Sequence, residues 1–461
     1  MDMSLEIEIS MKNVKVISRT ESLCPHCLKK IKAEKILEDN KVYMKKYCPE
    51  HGQFKTIIWS GSTPMEKWVR NKERAYIKNP AVSSEKGCPF DCGLCSEHRQ
   101  HTCTALIEVT NRCNLNCKFC FADSSCNQDE DVSIEKIRFL YERVLKYSGN
   151  CNIQLSGGEP TVRNDLPQII RLGRELGFDF IQVNTNGIRI AQDEGYVKEL
   201  KEAGLASIFL QFDGTNDSIY KKLRGRELLE LKMKALENCK KYGIGAVLVP
   251  TLVPGINVDN IGEIIDFALE NIAVVRGVHF QPVSYFGRIP NIPRDEDRIT
   301  LPELIDKIEE QTKGKIKVSS MKPPGCENAL CSFHGNYIYK NKNELLSITN
   351  KSNNCCSKTE KAEEGAKKTK EFVTRNWSSR KMEGFNGKLN SKKVMSWDEI
   401  LYSIKNYSFS ISAMAFQDIW NIDLERVKDC CIHVVSLDGR LIPFCLYNIT
   451  DAQGNYIYRG M

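Results

Sequence analysis

The sequence predicts an α/β fold built on a parallel sheet, and three observations carry that expectation. Strand-like and helix-like stretches alternate from Ala105 onward. Residues able to do chemistry cluster just after those strands. Cysteines are bunched at spacings that suit metal ligation better than packing.

The strand-like stretches are Ala105–Thr110, Asn152–Ser156, Phe180–Asn184, Ser207–Phe212, Gly245–Thr251 and Gly277–Pro282. Helical patterns fill the gaps at Ser133–Tyr147, Asp165–Leu176, Tyr196–Ala203, Glu227–Tyr242 and Asp259–Asn271, and Pro302–Gln311 follows the sixth strand. Strands alternating with helices imply βαβ units and a parallel sheet. Six units are two short of a closed eightfold barrel. Parallel barrels do their chemistry at the carboxyl ends of the strands. The cysteine loop falls there after the first strand. Gly157-Gly158-Glu159-Pro160 follows the second, Asn184-Thr-Asn-Gly187 the third and Gln211-Phe-Asp-Gly214 the fourth.

Four regions are expected: a module at 1–80, a cysteine-rich link at 81–104, the core at 105–320 and a C-terminal region at 321–461. Residues 340–395, rich in Lys, Asn, Ser and Glu, read as an insertion or loop. Apolar residues are 41% and charged residues 27%, which suits an ordinary globular protein and excludes a mainly disordered chain. No apolar run reaches the roughly 18 residues of a membrane span. Met1–Glu6 lacks the basic flank and apolar stretch of a secretory signal, so the cytoplasm is expected. The net charge of +7 reflects a basic stretch between Lys361 and Lys393. It reads as a solvated face before an anionic partner or membrane surface, and no nucleic acid partner is expected.

Twenty cysteines are many for that compartment, where disulfides are disfavoured and clustered cysteines read as metal ligands or redox groups. Cys113-Asn-Leu-Asn-Cys117-Lys-Phe119-Cys120 places three thiolates on one loop. They can hold three irons of a [4Fe-4S] cluster and leave the fourth open, whereas an electron-transfer cluster takes four protein ligands. A zinc knuckle or free cysteines are the alternatives.

Cys24-Pro-His-Cys27 and Cys48-Pro-Glu-His51 form facing knuckles with 20 residues between them, which suit one tetrahedral ion. Zinc fits, rubredoxin-like iron is the alternative, and His26 competes poorly with His51. Cys88, Cys92 and Cys95 repeat the C-x3-C-x2-C spacing, and Cys103 adds a fourth thiolate. This set reads as a closed auxiliary [4Fe-4S] cluster, with four-cysteine zinc as the alternative. The late cysteines supply Cys326, Cys331, Cys430 and Cys445 for a third cluster. Cys431 or the pair Cys355-Cys356 could replace any of them, and that pair could instead be a redox dithiol. Cys151 and Cys239 read as small apolar residues.

Gly157 and Gly158 let the backbone pass close to a ligand. Glu159 can accept from a ligand ammonium. Asn186 and Asp213 suit ribose hydroxyls or a carboxylate, or else cap the following helices.

The cysteine loop and Ser156-Gly-Gly-Glu-Pro160 together resemble the radical S-adenosylmethionine superfamily. The resemblance implies a partial (β/α)6 TIM-like barrel. It implies an open iron that chelates the methionyl amine and carboxylate, with Glu159 and its flanking glycines at the amine and Phe119 near the adenine. It also implies a low-potential donor of the ferredoxin or flavodoxin type and a 5′-deoxyadenosyl radical that takes hydrogen from an unactivated C–H bond.

The order of parts, closing with Asp438-Gly-Arg-Leu-Ile-Pro-Phe-Cys445, looks like the group containing the tetraether lipid synthase, with auxiliary clusters and a mononuclear ion. Departures at Gly325–Gly335 and Thr374–Ser378 look closer to bacterial relatives of unassigned substrate, some of them selenoproteins. A peptide or other unassigned substrate is therefore expected first. Lipid-tail carbon–carbon bond formation, peripheral to a membrane, is the alternative, and a non-catalytic multi-cluster electron carrier comes third.

Overall fold

The computed structural model describes residues 14–125, 131–341, 344–349, 359–378 and 406–459. Six parallel strands form its centre: Thr104–Thr110, Asn152–Gly157, Ile181–Thr185, Ser207–Gln211, Gly245–Val249 and Val275–Pro282. Each pairs with its neighbour in chain order, giving the expected partial barrel. Helices Ile134–Ser148, Leu166–Glu175, Glu194–Glu202, Leu229–Tyr242 and Ile261–Glu270 link them, and Leu301–Gln311 follows the sixth strand.

The local signals explain these limits. Ser133 caps the first helix by accepting from the Lys136 amide, and Gly149 ends it. Thr300 and Glu303 form a capping box around Pro302. Strand side chains such as Ile107, Ile153, Leu155, Ile181, Val183, Ile208 and Leu210 are fully buried under the helices.

A partial barrel leaves two open edges, and unpaired strand edges are a liability. The C-terminal region covers both. Strand Ile432–Val435 runs parallel to Thr104–Thr110 and forms a hairpin with Leu441–Pro443. Strand Ser408–Met414 runs parallel to Val275–Pro282, and Ser332–Asn341 and Glu344–Ser347 continue antiparallel beyond it.

Three helices differ from expectation. Short helices Ile188–Gln192 and Asp217–Arg224 extend the loops after strands three and four. More consequentially, part of the stretch read as a loop is the helix Ala362–Trp377, packed against the barrel strands. Its Lys and Glu content hides the inward stripe of Gly365, Thr369, Val373 and Trp377. A side chain at Gly365 would collide with the Gly325 carbonyl, so glycine fixes how closely the helix approaches. Cys126, Cys355 and Cys356 lie outside the described residues.

The N-terminal module is a four-stranded antiparallel sheet, Lys15–Leu23, Lys30–Glu38, Lys41–Cys48 and Gly52–Trp59. It docks on residues 418–423. Asp423 accepts from Thr20 and pairs with Lys35, both at 2.6 Å. The buried Lys46 ammonium donates to Ser22 Oγ (3.2 Å), Leu23 O (2.8 Å) and Ile419 O (2.6 Å). Among the described residues no helix is long and apolar enough to cross a membrane.

Candidate active site

A cavity of about 1620 Å³ occupies the concave face of the barrel. Cys113, Cys117, Phe119 and Cys120 line one end, beside Gly157, Gly158, Glu159, Asn186 and Arg224. The cysteine loop is pinned at both ends. Cys113 N donates to Ser125 O (3.0 Å), and Cys120 exchanges two backbone bonds with Arg288 (3.0 and 2.9 Å). Burial pushes the Cys113 thiol up to about 12. Phe119 meets Tyr285 edge to face with ring centroids 6.1 Å apart.

The two glycines also let two loops meet. A Cβ at Gly157 would strike the Thr110 carbonyl, and one at Gly158 would strike the Arg112 carbonyl. Glycine is needed here so that the second loop can lie against the cysteine loop. Pro160 opens the short 3-10 turn that follows.

Glu159 is buried, and protein donors occupy both of its oxygens. Oε1 accepts from Thr161 N (3.1 Å), Thr161 Oγ1 (2.6 Å) and Thr185 Oγ1 (2.7 Å); Oε2 accepts from Asn186 N (2.6 Å). Burial raises its pKa, and these bonds oppose the rise. Asn186 takes the capping option: its Oδ1 accepts from Ile188 N (3.0 Å) and its Nδ2 donates to Asn114 Oδ1 (2.6 Å).

Asp213 does not present its carboxylate to the cavity. It is fully buried, with both oxygens held by Arg224 at 2.7 Å, and Oδ1 also accepts from Thr251 N (3.2 Å). Arg224, at the end of helix Asp217–Arg224, is the cavity-lining group instead, and its guanidinium lies beside the Cys117 thiol. Sequence reasoning missed it. The available signal was an arginine directly before Gly225, on a helix opening soon after Asp213.

The remaining cysteines are regrouped. Cys88, Cys92 and Cys95 surround a small cleft with His98 and Lys428. Cys103 is not with them. Its amide donates to Cys431 O (2.8 Å) where barrel strand one meets the strand Ile432–Val435. That pairing turns its sulfur to Cys326, with which it is bonded, and Cys431 completes a trio within 4.8 Å. Cys326 is thereby separated from Cys331, Cys430 and Cys445, which neighbour one another. Arg426 donates to Cys331 Sγ and Gln417 N to Cys445 Sγ, both at 3.3 Å.

In the N-terminal module Cys24, Cys27, Cys48 and His51 converge within 4.8 Å. His51 Nδ1 is 3.6 Å from Cys24 Sγ and 3.5 Å from Cys48 Sγ, and Cys27 Sγ is 3.8 Å from Cys48 Sγ. Bond lengths of about 2.0–2.3 Å to a tetrahedral zinc give ligand separations of about 3.5–3.8 Å. The four therefore fit one ion. His26 instead stacks on His51, centroids 5.1 Å apart.

A model of the Radical SAM superfamily matches residues 107–268, and one of the HMPTM N-terminal zinc ribbon domain matches residues 16–60. The chain is 38% identical over 478 residues to 7,8-dihydro-6-hydroxymethylpterin dimethyltransferase of Methanocaldococcus jannaschii, with 94% of each covered. This chain belongs to the radical SAM superfamily. A shorter match, 30% identical, covers 41% of the chain and 62% of a probable GTP 3′,8-cyclase of Methanococcus aeolicus. Streptococcus suis SuiB bound to S-adenosylmethionine matches 47% of each chain at 16% identity and a TM-score of 0.37. The protein is an enzyme, and the chemistry of its superfamily uses a [4Fe-4S] cluster, S-adenosylmethionine and a reductant.

The donor set at the cavity end fits that pair of cofactors. Three thiols open onto one space, with a buried carboxylate and a buried guanidinium flanking them. Deeper in, the cavity is not an apolar channel. Gln154, Asn184, Gln211, His279, Gln281 and Ser412 line it.

Proposed function

We propose that this chain is a radical SAM methyltransferase acting at C–H carbon of a small nitrogen heterocycle of the pterin class. The observation that carries the reading is the amide-lined and hydroxyl-lined inner face of the cavity, continuous with the three-cysteine loop. A lipid tail would leave the orphaned Asn184 Oδ1 without a partner, and each buried unpaired polar group costs about 1–3 kcal/mol. The Methanocaldococcus jannaschii relative is a dihydro-hydroxymethylpterin dimethyltransferase, and such a lining suits a pterin.

Cys113, Cys117 and Cys120 would hold the cluster, leaving one iron for the methionyl group. When bound, this cofactor pair supplies one-electron cleavage of the sulfonium and hence hydrogen abstraction from unactivated carbon, chemistry that no side chain provides. The chain's own residues position and shield. Glu159 is fixed by four hydrogen bonds, so it holds the Gly-Gly-Glu-Pro loop in shape and sets a negative charge beside the methionyl amine. Arg224, held by Asp213, offers a guanidinium to the carboxylate. Phe119, Phe286, Phe416 and Phe444 line the cavity and give it an apolar side.

Cys24, Cys27, Cys48 and His51 would hold a structural zinc or iron ion. The regrouped cysteines would hold auxiliary centres, and a ferredoxin or flavodoxin would supply electrons.

The test is anaerobic reconstitution with 7,8-dihydro-6-hydroxymethylpterin, dithionite as the electron source, S-adenosylmethionine as the radical source and a one-carbon donor, either a second equivalent of S-adenosylmethionine or a methylene-tetrahydropterin, read by mass spectrometry. The expected result is 5′-deoxyadenosine together with a methylated pterin. Formation of 5′-deoxyadenosine with no change in the pterin, while a peptide or lipid extract is modified, overturns the substrate reading.

A further inference from the structure

The base of the cavity holds features that cofactor binding leaves unused. Three aromatic rings close it. Phe209 stacks on His279 with centroids 5.5 Å apart and meets Trp377 at 5.1 Å, and His279 meets Trp377 edge-on at 6.3 Å. Trp377 reaches this position because helix Ala362–Trp377 ends there, with its indole N–H directed to Ser410 Oγ at 3.3 Å. The His279 ring is held by Ser412 Oγ at 2.8 Å from Nδ1, and burial keeps it neutral, at about 4. The surface is therefore aromatic and uncharged.

Amides stand on the cavity wall near this base. Asn184 Oδ1 and Asn336 Oδ1 are both buried without a hydrogen-bond partner, and both residues line the cavity. Asn336 shares its strand face with Ser332 and His334, which also line the cavity. Each orphaned acceptor asks for an N–H donor, and with four strands between Asn184 and Asn336 a single ring edge reaches only one of them. Gln211 supplies the opposite polarity: with its oxygen accepting from Arg224 at 3.3 Å, its amide N–H groups remain to donate.

We propose that the base of the barrel is a recognition subsite for the aminopyrimidinone edge of a planar bicyclic ring, with Asn184 accepting, Gln211 donating, and the contiguous Phe209–Trp377 surface under one face of the ring. The inference rests on the pterin reading above and adds where the ring sits and which edge is read. A 2-amino-4-oxo ring carries adjacent N–H and NH2 donors and a carbonyl acceptor. That edge matches the acceptor of Asn184 and the donor of Gln211, which stand on neighbouring strands. Aromatic side chains stack on such rings without needing a particular substituent. The reactive carbon, on the ring's far side, then points up the cavity to the three-cysteine loop.

The experiment is equilibrium binding of 7,8-dihydro-6-hydroxymethylpterin to the anaerobic, cluster-loaded full chain, followed by pterin fluorescence or calorimetry. Asn184→Leu and Trp377→Leu should each weaken binding at least tenfold, and Trp377→Phe should retain most of it. Circular dichroism and iron content identify any variant that has merely lost its fold, and Gln211→Leu serves as a second polar probe. Tight binding by the wild type and by all variants alike overturns the subsite but leaves the pterin reading standing. No binding by the wild type overturns both.

Discussion

Asp213 is gripped by Arg224 at both carboxylate oxygens, 2.7 Å each, just past the carboxyl end of strand four. The pair ties strand four to the helix Asp217–Arg224 and sets the guanidinium beside Cys117. Removing one partner of a buried ion pair costs about 3–5 kcal/mol, because the other charge stays buried and unmatched. Asp213→Ala should therefore lower the urea midpoint markedly and reduce 5′-deoxyadenosine formation. A variant with wild-type stability would show that the pair contributes nothing to the fold.

Gly158 tests the contact between the two loops. Alanine there must displace the Arg112 carbonyl, one residue before Cys113. Gly158→Ala should diminish the iron bound at the cysteine loop and the 5′-deoxyadenosine yield together. Gly195→Ala is the control, since its Cβ would meet only Asp193 Oδ1, at 3.5 Å. In a helix that exchange is neutral or favourable by up to about 1 kcal/mol. Equal iron content in both variants would remove the contact from the argument.

The loops illustrate how much the sequence disclosed. Alternating hydrophobic runs marked all six barrel strands because each is buried on its helix-facing side and ends in a turn. Asp213 was misplaced because an acidic residue after a strand looks the same whether it faces a ligand or an arginine eleven positions later. Cys103 was misgrouped because spacing along the chain cannot report the strand Ile432–Val435, which brings Cys431 to it from the far end of the sequence. Helix Ala362–Trp377 stayed hidden because its apolar stripe is narrow and interrupted by lysines.

Lys46 makes docking of the N-terminal module depend on pH. Burial holds its ammonium down at about 7, from an ordinary 10.5, with Asp418 opposing the fall. Between those values the unfolded chain keeps the proton and the folded chain releases it. Stability therefore rises with pH from about 7 to 10.5 and does not change through this group below 7. Lys46→Met should flatten that slope in urea unfolding followed by hydrogen exchange of residues 15–59. An unchanged slope would assign the dependence elsewhere.

The module's ion should be structural. Metal bound by thiolates and imidazole contributes directly to folding free energy. Cys48→Ser should release one equivalent of zinc or iron and speed hydrogen exchange across Lys41–Trp59. The barrel strands should stay protected. Unaltered exchange in the metal-free module would mean that its sheet and its contacts with Asp423 suffice.

The regrouped cysteines give the sharpest separation between the sequence reading and the structure. If spacing governed ligation, Cys103→Ser would disturb the centre at Cys88, Cys92 and Cys95. Cys326→Ser would then disturb the one at Cys331, Cys430 and Cys445. In the structure Cys103, Cys326 and Cys431 lie within 4.8 Å of one another. Once the Cys103–Cys326 bond is reduced and the protein is reconstituted, serine at any of these three should therefore produce one shared loss in iron content and one shared Mössbauer change. Serine at Cys331, Cys430 or Cys445 should produce a different loss, and serine at Cys88 a third. The trio also lies at the cavity wall, where Cys103 and Cys431 are among the lining residues, so its loss should alter pterin affinity as well as metal content. A Cys103→Ser spectrum matching that of Cys88→Ser, and not that of Cys431→Ser, would return Cys103 to the grouping its spacing suggested.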